Sequence, residues 1–312
     1  MLAIVALTII AMFIVIYVFN WLKTWGCRYP YVGTVRKDGS IFVSIASYRD
    51  SSCSDTVREL YEKARDPNLV FIGLVEQNKS SSEACLFPEG CSDRIRRVNL
   101  SHRSAKGPCY ARHLASCLYN GEEFFFQIDS HTRFEEGWDT DLKLMSMNPP
   151  SEKTVFSHYP QSWYNINKGQ ISVNDTAVPL SGFFKYSAHN INHDGKSFKK
   201  GVGVAGGFMF MRGEVLMEVP FDPRLEWVFN GEEFLYSARL FTRGYEFYSP
   251  SHNVAYHYYK RDGEPRFQRD HVYKERDAYK TVISRIQSPP PGYFGTAYTA
   301  KDYIEFLKTK VK

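Results

Sequence analysis

The apolar positions of this chain fall into two regimes. Residues 2–19 (LAIVALTIIAMFIVIYVF) form one nearly unbroken apolar run, and no charged side chain precedes Lys23. From residue 40 onward, short apolar runs alternate with amphipathic stretches. IFVSIASY at 41–48 reads as a buried strand, a short apolar run preceded by turn formers. SDTVRELYEKA at 54–64 sets Val57, Leu60, Tyr61 and Ala64 on one face at helical spacing, with Ser54 as its cap. LVFIGLVE at 69–76 is a second strand, and 94–100 a third. A helix opens at Gly107-Pro108 and runs through Leu118, and FFFQID at 124–129 is a fourth strand. Strand and helix repeated at this spacing predict an α/β fold on a mostly parallel sheet, doubly wound, with helices on both faces. On such sheets ligands bind beyond the carboxyl ends of the strands.

The second half is less regular. Residues 158–200, rich in Asn, Ser, Lys and Gly, read as a long excursion over a binding face. GVGVAGGFMFMR at 201–212 returns to strand character with a Gly pair inside it. A helix is expected over 231–243, short strands over 245–248 and 253–259, a long charged helix over 269–287, and a small one over 300–310. The expected division is an anchor at 1–22, a stem at 23–39, one main domain at 40–262 and a helical extension at 263–312.

At about 1.5 Å per residue the apolar run spans about 27 Å, close to the thickness of a hydrocarbon core. Tyr17, Trp21 and Trp25 lie where an interfacial aromatic belt would sit, followed by Lys23 and Arg28. The length of the run and the Trp-Leu-Lys-Thr-Trp after it favour an uncleaved single-pass transmembrane helix over a cleaved signal peptide. Orientation signals oppose each other. The basic residues Lys23, Arg28, Arg36 and Lys37 would hold the large domain in the cytoplasm, whereas Asn78-Lys-Ser80, Asn99-Leu-Ser101 and Asn174-Asp-Thr176 fit the glycosylation pattern of lumenal proteins. The expectation leans lumenal, with the cytoplasmic side left open.

Aromatic residues make up 16% of the chain, which excludes a disordered or fibrous protein. The net charge of +5 is spread along the sequence and demands no nucleic-acid partner, though it favours an anionic small molecule. The six cysteines leave the compartment open. Cys85 and Cys91 can close a small loop disulfide, whereas Cys109 and Cys117, eight apart on one helix, are too distant to pair.

The chemistry concentrates beyond the fourth strand. Asp129 and His131, two residues apart in extended chain, project from the same face. A carboxylate oxygen with an imidazole nitrogen suits Mn2+ better than Ca2+, with Mg2+ as the second choice, and a cation there can neutralise a diphosphate leaving group. His257, on a late short strand, can supply a third ligand. Glu232 and Glu233 open a helix, where acidic residues complement the macrodipole; one of them can also point into the cleft and hold a hydroxyl or a sugar. Gly206 and Gly207 inside a strand pattern suggest either a bulge or a ligand lying close against backbone.

Ordered along the chain, Gly107-Pro-Cys-Tyr-Ala-Arg112, Gln127-Ile-Asp-Ser-His-Thr-Arg-Phe134, Gly137-Trp-Asp139, Val204-Ala-Gly-Gly207, Phe229-Asn-Gly-Glu-Glu233, Arg239-Leu-Phe-Thr-Arg-Gly-Tyr245 and His257-Tyr-Tyr-Lys-Arg261 resemble the polypeptide N-acetylglucosaminyltransferases. That family includes a cytoplasmic enzyme acting on hydroxyproline and Golgi enzymes acting on threonine. The resemblance covers about residues 40–262. It departs at the tail, where Tyr298 stands in place of an expected Arg. The resemblance implies a GT-A fold, UDP-GlcNAc as donor, a divalent metal, and transfer with retention to a protein or glycoprotein hydroxyl. It assigns Asp129, His131 and His257 to the metal and diphosphate. Ser44, Ile45, Ala46 and Arg49 would cradle uridine with Arg112 nearby, and Glu232 and Glu233 would face sugar or acceptor. The competing readings are a transferase with another UDP-sugar or a glycan acceptor, a metal-dependent phosphodiesterase, and an inactive sugar-nucleotide-binding protein.

Overall fold

The computed structural model describes residues 31–312, and for 272–276 the backbone only. The apolar run at 2–19, expected as a membrane anchor, lies outside the described residues. Among the described residues no helix is long and apolar enough to cross a membrane.

The strands are β1 (Ile41–Tyr48), β2 (Val70–Asn78), β3 (Ile95–Ser101), β4 (Phe124–Asp129), β5 (Thr132–Phe134), β6 (Thr154–Ser157), β7 (Gln170–Leu180), β8 (Phe183–Asn192), β9 (Phe208–Arg212), β10 (Glu246–Tyr248) and β11 (Ala255–His257). The helices are α1 (Cys53–Glu62), α2 (Pro108–Ser116), α3 (Trp138–Met147), α4 (Val215–Glu218), α5 (Glu232–Phe241), α6 (Phe267–Asp270), α7 (Val272–Gln287) and α8 (Ala300–Lys308). Seven strands form one sheet in the order β10-β6-β9-β4-β1-β2-β3. All neighbours run parallel except β9, which is antiparallel to both β4 and β6. The fold is therefore mixed α/β with a mainly parallel sheet.

Alternation along the strands divides the core between the two faces. Ile41, Val43, Ile45, Phe124, Phe126, Phe208 and Phe210 pack with α1 and α3. Phe42, Phe125, Met209 and Met211 point the other way, toward α5, α7, α8 and the β7–β8 hairpin. The 263–312 segment shares this second core, for Tyr303 and Leu307 on α8 are both fully buried in it.

Three stretches differ from the sequence reading. Much of the polar 158–200 region is the β7–β8 hairpin, whose Ile171, Val173, Ala177, Phe183, Phe184 and Tyr186 are buried together with the polar Ser172 and Asn174, while Val178, Pro179, Lys185 and Ser187 are exposed. Its two-residue tip, Ser181 at φ 32° and Gly182 at φ 96°, has the positive dihedrals of a tight hairpin turn. Residues 201–207 do not join the sheet as a strand. Gly201 and Val202 donate to the Phe247 and Asn174 carbonyls, and side chains take the next groups: Val204 N–H donates to Ser237 Oγ (2.9 Å) and Ala205 N–H to Ser157 Oγ (2.8 Å). Finally, Cys85 and Cys91 are free thiols, and Cys85 hydrogen-bonds to Cys53 rather than closing the 85–91 loop.

Trp138 anchors the α1–α3 face. It is fully buried, its ring lies 5.3 Å from that of Phe134 and 5.6 Å from that of Phe126, and its Nε1–H donates to Leu60 O at 3.2 Å. Trp138→Ala should cost about 3–5 kcal/mol, read as a lowered denaturant midpoint. A change below about 1 kcal/mol would contradict this packing.

Candidate functional site

The cleft opens beyond the carboxyl ends of β1, β2 and β4, as expected for a sheet of this type. Its volume is about 670 Å3, and Ala46, Arg112, Asp129, His131, Glu233 and His257 are among the residues lining it. Ala46 and Asp129 are register partners across β1 and β4, so Asp129 is delivered to the floor by the end of its own strand.

His257 arrives by a separate route. Short β11 pairs antiparallel with β5, placing His257 opposite Thr132, one residue beyond His131. His257 Nε2 lies 3.0 Å from Asp129 Oδ2, and the two imidazole rings are 4.5 Å apart, edge to face. One ligand atom from each of Asp129, His131 and His257 lies within 4.8 Å of the others. A single ion can bridge atoms at that spacing. Burial would push the Asp129 carboxyl up, but the His257 hydrogen bond and the charges of His131 and Arg112 outweigh it and hold the group well below the usual carboxylate range. Burial lowers His257, with Asp129 opposing the shift, and this direction favours the neutral form that ligation requires.

Glu232 and Glu233 open α5 after Gly231, whose φ of 95° ends the preceding loop. Their carboxyls have separate partners. Glu232 Oε1 accepts from Arg112 Nη1 at 2.7 Å, and its Oε2 takes the Cys109 thiol at 3.2 Å. Glu233 Oε1 accepts the Gly206 N–H at 2.6 Å, and its other oxygen takes the Tyr159 hydroxyl. Burial raises both carboxyls; for Glu233, with the charge of Glu232 adding to it, the result is about 7. Arg112 also reaches Asp129 at 3.6 Å, linking the glutamate pair to the histidine cluster.

The two glycines make room for protein. A Cβ on Gly206 would meet the Arg112 guanidinium at 2.7 Å, and one on Gly207 would meet Asp129 Oδ2 at 2.9 Å. Both line the cleft, yet the space their missing side chains leave is already taken by these two groups.

Of the uridine cradle expected over 44–49, Ala46 and Tyr48 line the cleft. Ser44 and Ile45 are fully buried within the sheet. Arg49, at φ 48°, turns to Glu83 (3.0 Å) and Asp270 (3.5 Å) and does not line the cleft. Its neighbour Asp50 does, along with Gln77, Tyr159 and Arg261, to which the sequence reading gave no role. The position of Asp50 just past the end of β1 was a usable signal; Tyr159 carried none.

The chain is thus a mixed α/β protein with a polar cleft at the carboxyl edge of its sheet, where such folds bind ligands. More narrowly, it belongs to the glycosyltransferase (GlcNAc) family, whose model matches residues 40–92 and 88–289. Among solved structures it is similar to GalNAc-T7 with UDP, GalNAc and Mn2+, at 14% identity and a TM-score of 0.53 over 87% of this chain and 55% of that one. It is also similar to S. aureus TarS 1–349, at 12% identity and a TM-score of 0.48 over 86% and 69% of the two chains. The GalNAc-T7 likeness is one of fold, and this chain spans little more than half of that protein. No curated protein matches the chain.

Two outcomes follow from the glutamate pair. Arg112→Met leaves Glu232 buried without its cation and should destabilise the protein by about 3–5 kcal/mol in a denaturant melt; an unchanged midpoint would contradict the pairing. Folded Glu233 keeps a proton up to about pH 7 that the unfolded chain releases near 4.5. The folded state binds more protons in that window, so this group's contribution to stability is complete below about pH 4.5 and is lost as pH rises through 7. The wild-type unfolding free energy, compared with that of Glu233→Gln, should therefore fall over the window; a difference independent of pH would refute the assignment.

Proposed function

We propose that this protein is a metal-dependent retaining glycosyltransferase that moves N-acetylglucosamine from UDP-GlcNAc to a hydroxyl of a protein, on hydroxyproline, Thr or Ser. The observation that carries this reading is the convergence of Asp129, His131 and His257 to within 4.8 Å in a cleft at the carboxyl edge of the sheet. One hard oxygen and two imidazole nitrogens suit Mn2+, with Mg2+ second. When bound, such a cation supplies charge stabilisation to a departing diphosphate.

The chain's own residues do the remaining work. Arg112, buried between Asp129 and Glu232, adds a fixed positive charge on the floor of the cleft. Glu232 has both oxygens engaged and makes a poor nucleophile. Glu232 and Glu233, adjacent on a helix and about 100° apart around it, make a poor version of the nucleophile–acid pair that a retaining hydrolase sets about 5 Å apart, so direct transfer on one face fits better. Glu233, held by Gly206 and Tyr159, can accept a hydrogen bond from a sugar or acceptor hydroxyl. A phosphodiesterase is less well served, because only one of the three ligands is a carboxylate.

Donor and acceptor identity rest on the family resemblance, as do the 40–262 catalytic domain and the 263–312 extension. The apolar run at 2–19 supports a single-pass anchor, and the tripeptides beginning at Asn78, Asn99 and Asn174 lean toward a lumenal domain against the basic flank, which favours the cytoplasmic side. The full chain should transfer GlcNAc from UDP-GlcNAc to hydroxyproline, Thr or Ser peptides when Mn2+ is present. Chelation should stop transfer and added Mn2+ restore it, while Asp129→Ala should lower the rate by more than about a hundredfold in a protein that still folds cooperatively. A panel of UDP-sugars settles the donor. Full activity in chelator, or in Asp129→Ala, would refute the reading.

A further inference from the structure

Asp50 lies two residues beyond β1 and is only 5% exposed, yet it is the most heavily engaged carboxylate near the histidine cluster. Its Oδ2 accepts from Ser130 Oγ at 2.6 Å and from His131 Nδ1 at 2.7 Å, and Arg261 Nη2 stands 3.3 Å away. Its Oδ1 accepts the Ser52 N–H at 3.0 Å, and its carbonyl takes the Cys53 N–H at 3.2 Å, fixing the start of α1. One side chain thus ties together the end of β1, the Asp129–His131 turn and the segment that follows His257.

The bond to His131 has a chemical consequence. An ionised carboxylate only accepts, so a neutral His131 must carry its proton on Nδ1 and keep a lone pair on Nε2. His257 has no such support: its Nε2 faces Asp129, and its Nδ1 has no hydrogen-bond partner among the described residues. Carboxylates that accept from a histidine's second nitrogen fix the tautomer and raise the ligand's basicity.

We propose that Asp50 is the positioning residue of the metal centre. It sets the tautomer and ring orientation of His131 and, through Arg261, holds the chain leaving His257. This rests on the metal reading given above. A merely structural Asp50, serving only the start of α1, would leave metal affinity untouched once the variant had folded.

The test is Mn2+ binding to the full chain without donor or acceptor, followed by the electron paramagnetic resonance signal of free Mn2+. Asp50→Ala should weaken binding by about 10- to 100-fold. Asp50→Asn, whose amide oxygen still accepts from His131, should weaken it less. Metal-free thermal melts show that each variant is folded. Unchanged affinity in a folded Asp50→Ala would overturn the proposal while leaving the metal reading intact; absence of Mn2+ binding by the wild type would overturn both. Nitrogen-15 NMR of the metal-free wild type at a pH where His131 is neutral gives an answer that needs no variant. The proton of His131 should reside on Nδ1, and residence on Nε2 would refute the assignment.

Discussion

The site depends on a pairing of only three residues with three. Phe134, Arg133 and Thr132 of β5 face Ala255, Tyr256 and His257 of β11, and this register brings an imidazole across 128 positions to Asp129. A ribbon this short is not stable alone. It is secured because Phe134, Val254 and Ala255 sink into the core around Trp138, and because flanking backbone bonds continue the pairing: Glu135 N–H to Val254 O (3.0 Å) and Tyr258 N–H to His131 O (3.1 Å). A slip of one residue would carry His257 to the opposite face. The large sheet supplies a rigid floor, and the small ribbon decides whether there is a site.

Charge and space in the cleft are set by the same few groups. Arg112 neutralises Glu232 and approaches Asp129, and both it and Asp129 occupy volume that any side chain at 206 or 207 would claim. Glu233 is left with two neutral donors, a backbone N–H and a phenol, and so remains the carboxyl of the pair that a substrate hydroxyl can address. Adjacent residues with the same side chain thus acquire different chemistry, since about 100° of helical rotation directs them toward different partners.

The sheet was legible because its strands are short apolar runs bounded by turn formers. The bounds expected for 41–48 and 124–129 coincide with β1 and β4. The β7–β8 hairpin was hidden by polar residues on its outer face, although the Ser181-Gly182 tip marks it. Residues 201–207 carry strand-like composition, yet the N–H groups of Val204, Ala205 and Gly206 are claimed by Ser237, Ser157 and Glu233, which no local pattern announces. In the candidate site, the metal-ligating types at 129, 131 and 257 could be read from donor chemistry, but their meeting rests on a long-range register. The expected uridine cradle at 44–49 lies largely inside the sheet. Ser44 and Ile45 are covered on both faces of the sheet and Arg49 turns to Glu83 and Asp270, so Ala46, Tyr48 and Asp50 line the cleft where those three do not.

The most direct test is a crystal of the protein grown with Mn2+ and UDP, with data collected at the manganese absorption edge. The account predicts one strong anomalous peak about 2 Å from a carboxylate oxygen of Asp129 and from imidazole nitrogens of both His131 and His257. A peak coordinated elsewhere, or an active crystal with no peak among these three side chains, would contradict it.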